Sequence, residues 1–215
     1  MEIGSDVAPQ QALGLRERKK LRTRETIARV ALELFTEQGF HETTIREIAD
    51  RAEVAPRTVS MYFPVKEELV FADHGALFDE LEQRLHERPL GETTADALRA
   101  WITAVLADDR MELDKTRCRR QVVESDHALR TYERGLTERA EQLIAGAVAV
   151  DLGLPADDLV PRMVGAATMA ALDALGHDAG DGTIPPAEYR RRGLELVDQA
   201  MTFIGAGIRG LQDAA

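Results

Sequence analysis

The chain has 215 residues, 44% of them hydrophobic but only 5% aromatic, and carries a formal net charge of -11. That length allows one medium domain or a small domain joined to a larger one, and the abundance of Ala and Leu over β-branched residues predicts an all-α protein. The single cysteine, Cys118, excludes an internal disulfide, and no apolar run reaches the roughly 18 residues of a membrane span, so with no charged segment leading into an apolar one at the start, a cytoplasmic location is expected.

Residues 1–15 lack a sustained period and contain Gly, Ser and Pro, which predicts a disordered leader. Directly after it, Arg16, Arg18, Lys19, Lys20, Arg22 and Arg24 fall within nine residues, opposed only by Glu17. The acidity of the chain lies elsewhere: residues 1–66 carry 11 basic and 10 acidic side chains, whereas residues 67–215 carry 16 and 28. Beside a DNA-reading element, such a basic run would anchor phosphates.

The first helix is expected from about Arg18 to Gln38, with Ile27, Val30, Ala31, Leu34 and Phe35 on one apolar face. Gly39 is placed to end it and Phe40 to pack back. Thr44 as N-cap and Glu47 three residues later form a capping-box signature, after which Ile45, Ile48, Ala49 and Ala52 give the second helix its inner face. A break near Glu53 and Val54 precedes Pro56, which suits the first turn of a third helix, Pro56 to Tyr62, with Val59 inward and Phe63 plugging the small core. Pro64 stops that helix. A fourth is expected from Lys66 to about Glu87, with Leu69, Val70, Leu77, Leu81 and Leu85 on its apolar side.

Two short helices joined by a tight turn have the form of a helix-turn-helix, whose second helix enters the major groove of DNA. The segment Ile27 to Leu69, through LFTEQGF, TTIREIADRAEV and RTVSMYFPVKEEL, resembles the N-terminal DNA-binding domain of the tetracycline-repressor (TetR) family. Two departures from that pattern are visible. Glu53 stands where the family usually has Gly, with Ala55 where a Ser often caps the recognition helix, and Ser60 stands where Tyr is common.

The resemblance implies Arg46 and Arg57 as base readers, since an arginine can bond guanine O6 and N7 together. It implies Thr44, Thr58, Ser60, Tyr62 and Lys66 as phosphate contacts, with Thr44 also serving as N-cap, and Pro56 as a helix-start residue able to touch a thymine methyl. The expected organisation is therefore a leader (1–15), a helix-turn-helix domain (16–66) and a helical ligand-binding and dimerisation domain (67–215).

Within the C-terminal part, helices are expected from Thr93 or Thr94 through Leu106, Met111 to Glu124, Asp126 to Leu152, Ala156 to His177 and Pro186 to Leu211, the last two separated by the loop HDAGDGTIPP. Leu194, Val197, Met201, Ile204, Ile208 and Leu211 form an a/d seam suited to a partner helix, with a second apolar row of Leu196, Ala200, Phe203 and Gly207 beside it. Filling the subunit's own core is the other use open to this seam. The family resemblance favours a homodimer through the last two helices, with Val197, Met201, Ile204 and Ile208 at its interface. A dimer would set two recognition helices on successive major-groove turns, roughly 34 Å or a multiple apart, and so read a palindromic operator in double-stranded DNA.

The resemblance also implies an interior pocket for a small-molecule effector of unknown identity, for which Trp101, Met111, Cys118, His127, Tyr132, Met163 and Met169 are candidates. No phosphate-binding glycine loop, HExxH motif or paired-cysteine spacing occurs, and the five histidines are scattered, so no enzyme, metal or cofactor is expected. The remaining alternative is a helical protein-interaction module that keeps the fold without reading DNA, distinguishable by the steep salt dependence that only phosphate binding brings.

Overall fold

The computed structural model describes residues 14–107, 113–178 and 185–213. The chain divides into two compact units, one reaching Ala72 and the other beginning at Asp73.

In the first unit, α1 runs from Leu15 to Gln38, α2 from Ile45 to Arg51 and α3 from Pro56 to Tyr62, followed by a short 3₁₀ helix, Lys66–Leu69. Its core is built from the predicted face of α1 (Ile27, Val30, Ala31, Leu34 and Phe35) closed by Phe40, Ile48, Ala49, Val59, Phe63, Leu69, Val70 and Phe71. Phe40 does fold back, its ring centroid 5.0 Å from that of Phe35. Gly39 ends α1 at φ 93, a region that favours glycine, and its N–H bonds Phe35 O at 3.0 Å. Because α1 opens at Leu15 and not at Arg18, the basic run Arg16 to Arg24 is helical. Most of the expected leader, residues 1–13, lies outside the described residues.

The expected fourth helix is two elements. The 3₁₀ turn Lys66–Leu69 belongs to the first unit, and α4 starts only at His74 and ends at His86. Leu69 and Val70 are buried in the first core while Leu81 and Leu85 are buried in the second, so one apparent apolar stripe serves two separate cores.

The second unit continues with α5 (Thr94–Ala107), α6 (Leu113–Ser125), α7 (His127–Leu152), α8 (Leu159–Asp178) and α9 (Pro186–Asp213). Thr93 caps α5 reciprocally with Asp96, Asp126 caps α7 by accepting from the amides of Ala128 and Leu129, and Gly153 closes α7 in the left-handed conformation. α7 packs chiefly on α8, and α5 on α9. The α7–α8 approach depends on Gly165, where a Cβ would lie 2.6 Å from Glu141 O.

The core joins Leu81, Leu85, Leu98, Ile102, Ile144, Val148 and Val164 to Val197, Met201, Ile204 and Ile208. The four seam residues assigned to a partner helix are thus 4%, 1%, 4% and 2% exposed within a single chain. They fill their own subunit's core, which corrects the expected dimer contacts. The neighbouring row is the outward one: Phe203 is 73% exposed, and Gly207 is exposed beside it. On α8, Met163, Ala166, Ala167 and Ala170 also face outward.

A buried polar knot ties the ends of α4, α5 and α7. Asp151 accepts from Arg88 Nη1 at 2.6 Å, from Thr94 N at 2.7 Å and from Thr94 Oγ1 at 2.6 Å, and Arg88 also donates to the carbonyls of Leu85 and Ala147. Both charged side chains are 10% exposed, so each is retained inside by the other's bonds.

Candidate nucleic-acid interface

The reading element starts with the cap of α2. Thr44 Oγ1 accepts from Glu47 N at 3.2 Å and donates to Glu47 Oε2 at 2.8 Å, while Glu47 Oε2 also takes the Thr44 amide at 2.8 Å. The full capping box is therefore present, and hydrogen bonds from the Thr44 backbone and then its hydroxyl hold the Glu47 carboxyl below its ordinary pKa. The N-cap role expected of Thr44 is therefore present.

α2 is fixed to α1 by Arg51, which donates to both carboxylate oxygens of Glu37 at 2.9 and 3.1 Å. The turn between α2 and α3 places Glu53 at φ 55, the only non-glycine in the left-handed region among the described residues. That explains why the family favours Gly there, and it costs this chain about 1 kcal/mol of local strain. α3 then starts without a side-chain cap at Ala55 but with Pro56 at its first position, whose fixed φ suits the first turn.

α3 buries Val59 and turns its other sides outward. Pro56, Arg57 and Ser60 are exposed, while Thr58 and Tyr62 are half-buried. On α2, Arg46 is 86% exposed, its Nε 4.0 Å from the Asp50 carboxylate, a solvent-screened i,i+4 pair that leaves the guanidinium mobile. Arg46 and Arg57 thus stand on the outer side of the motif, as base reading requires.

Lys66 does not. Its ammonium donates to the Phe40 carbonyl and sits 4.5 Å from the Phe40 ring centroid and 5.7 Å from that of Phe35. This contact fastens the 3₁₀ turn to the end of α1 and uses one of the three ammonium donors. Arg24, the last member of the basic run, is likewise internal. It donates to Tyr62 O at 2.9 Å and Ala72 O at 3.0 Å and stacks 4.3 Å over Phe63. Arg16, Arg18, Lys19, Lys20 and Arg22 remain exposed. The parts played by Lys66 and Arg24 had no sequence signal, since their acceptors lie 26 to 48 residues away.

The effector candidates differ in burial. Trp101 and Met169 pack against the same core in the second unit, Cys118 and Tyr132 are half-buried, and His127 and Met163 face solvent, Met163 at 54% exposure. Met111 lies outside the described residues. The Trp101 indole nitrogen is buried with no hydrogen-bond partner among the described residues. An open depression on α9, about 460 Å³, is lined by Asp198, Gln199, Thr202, Phe203 and Ala206. Among the described residues no cluster of His, Cys, Asp and Glu could hold a metal ion, and no helix is long and apolar enough to cross a membrane.

A three-helix unit with a capped α2, a tight turn and an α3 that offers arginine and hydroxyl groups outward defines a helix-turn-helix DNA-binding transcriptional regulator. Residues 27–72 match the model of bacterial regulatory proteins of the tetR family, and residues 92–202 match that of the MftR C-terminal domain. The HTH-type transcriptional regulator TcmR of Streptomyces glaucescens is 36% identical over 173 residues, 76% of this chain and 74% of that protein. The mycofactocin biosynthesis transcriptional regulator MftR of Mycobacterium tuberculosis is 28% identical over 193 residues, 89% of this chain and 93% of its own. The chain belongs to the TetR family of transcriptional regulators and is not an enzyme. Solved structures share the fold: the SmeT–triclosan complex, with a TM-score of 0.58 at 22% identity, covers 84% of this chain and 90% of its own, and Salmonella enterica GusR, with a TM-score of 0.56 at 20% identity, covers 88% and 96%.

Proposed function

We propose that this regulator is a cytoplasmic homodimeric repressor that leaves a palindromic operator when a small molecule occupies its C-terminal unit. The observation that carries the reading is the outward pair Arg46 and Arg57 on a rigidly capped helix-turn-helix, in a chain whose remaining surface is acidic. Acidic surroundings repel DNA everywhere except where basic side chains are concentrated, which restricts the duplex to this face and to the exposed first turns of α1.

A second copy is proposed to cover the outward apolar row of α9, Leu196, Ala200, Phe203 and Gly207, together with the small residues of α8. A large exposed ring next to small side chains allows close approach between helices. The effector is proposed to reach the core near Trp101, whose indole N–H has no partner among the described residues and offers a hydrogen bond to an acceptor on the ligand. The relative solved as a triclosan complex, SmeT, supports a small apolar effector. Release then follows from the effector's differing affinity for the two states.

The test is binding to random duplexes at rising salt. Sequence-specific binding that falls steeply with salt supports the reading; salt-insensitive association with proteins and none with DNA would replace it with the interaction-module alternative.

A further inference from the structure

Met61 is 69% exposed on α3. A single exposed apolar side chain needs no explanation by itself, but the position of this one does. On a helix of about 3.6 residues per turn, the direction opposite the buried Val59 falls between Arg57 and Met61, which are i,i+4 neighbours. The two therefore form the outermost ridge of the reading helix. Among the large hydrophobic side chains of α2 and α3, Met61 alone is exposed; Ile48 and Val59 are fully buried, and Ile45 is half-buried.

The major groove would cover that ridge, because a recognition helix turns its outer side to it. There the apolar group on a base edge is the C5-methyl of thymine, while a guanidinium matches guanine O6 and N7. A thioether has no donor and only a weak acceptor, so it gains nothing from phosphate or from polar base edges, and its flexible stem can follow a methyl group.

We infer that Met61 is a specificity-determining residue that reads a thymine methyl. Four residues of helix advance about 6 Å, and stacked bases are about 3.4 Å apart, so the thymine lies within about two base pairs of the base that Arg57 reads. The half-site accordingly contains a guanine contacted by Arg57 and, close by, a thymine contacted by Met61. This rests on the DNA-reading function proposed above.

Replacing thymine by deoxyuridine removes only the methyl. The probe is the duplex most enriched by the wild-type protein from a random library, remade with deoxyuridine at one thymine pair per half-site at a time and bound to wild type, Met61→Ala and Met61→Leu. Wild type should lose about four-fold per half-site at one thymine position, the value of one buried methyl group. Met61→Ala should bind the parent duplex more weakly and become indifferent to that same methyl, whereas Met61→Leu should retain the sensitivity. Unchanged thermal melting of the Ala variant, expected for an exposed position, separates this effect from misfolding. Sensitivity that persists in Met61→Ala, or no sensitive thymine near the Arg57 base, overturns the inference while leaving sequence-specific binding intact. If wild type enriches no duplex at all, the DNA-reading function fails and the inference with it.

Discussion

Phe203 and Ile204 are neighbours in sequence with opposite exposure, so the same substitution at each should give opposite outcomes. Ile204 is 4% exposed and packed with Met201 and Ile208 in the core of the second unit. Removing a buried aliphatic side chain costs roughly 2–5 kcal/mol, and an unpaired carboxylate left in its place adds several more. Domain stabilities are about 5–15 kcal/mol, so Ile204→Asp should yield unfolded or aggregated protein, and Ile204→Ala a folded protein with a clearly lower Tm. At Phe203, 73% exposed, the isolated subunit loses little. Surface substitutions stay within about 0.5 kcal/mol, so Phe203→Asp should keep its helical circular dichroism while a buried carboxylate at the proposed interface splits the dimer. Light scattering coupled to size exclusion at micromolar concentration, with thermal melts of each variant, measures both. A dimeric Phe203→Asp would move the interface off this row. A folded Ile204→Asp with unchanged Tm would refute the assignment of the seam to the subunit core.

Three further outcomes follow from the local geometry. Asp151→Ala leaves the Arg88 guanidinium buried without its counter-charge and should destabilise the protein by about 3–5 kcal/mol in denaturant titration, whereas Arg191→Ala, at an exposed i,i+4 pair with Glu195, should change little. Glu53→Gly relieves the positive φ of the turn and should raise stability by up to about 1 kcal/mol in the same titration. Because the folded pKa of Glu47 is lowered by its bonds from Thr44, its contribution is present above the unfolded value and is lost as pH falls through the folded value. Thr44→Ala should therefore lower Tm by a few degrees at neutral pH and flatten the acid limb of the stability profile, as followed by thermal melts from pH 7 to pH 3.

The first unit was legible because its signals are local. A threonine and a glutamate three residues apart, a proline at a first turn, a glycine at φ 93 and an i, i+3, i+4 apolar face each act within a few residues of themselves. The failures all involve distance. After Pro64, nothing in KEELVFADH marks a helix end, so the step from Leu69 to His74 is invisible in sequence, and only the two cores claim different ends of one apolar stripe. Lys66 reads as a solvent-seeking cation, and only folding brings the Phe40 carbonyl to it. On α9 the rows Val197, Met201, Ile204, Ile208 and Leu196, Ala200, Phe203, Gly207 are both apolar. A core and a dimer interface demand the same chemistry, and it is the packing of α5 and α8 that turns the first of these rows inward.

The exposed ridge of α3 is proposed to read DNA sequence through Arg57. The most direct test is in vitro selection from random duplexes at physiological salt, with wild type and Arg57→Ala in parallel. Wild type should enrich a palindrome, and Arg57→Ala should lose its preference for one guanine pair in each half-site, a discrimination of roughly 1–3 kcal/mol, while the rest of the motif survives. No enriched motif from wild type, or the same motif at full strength from both proteins, would contradict it.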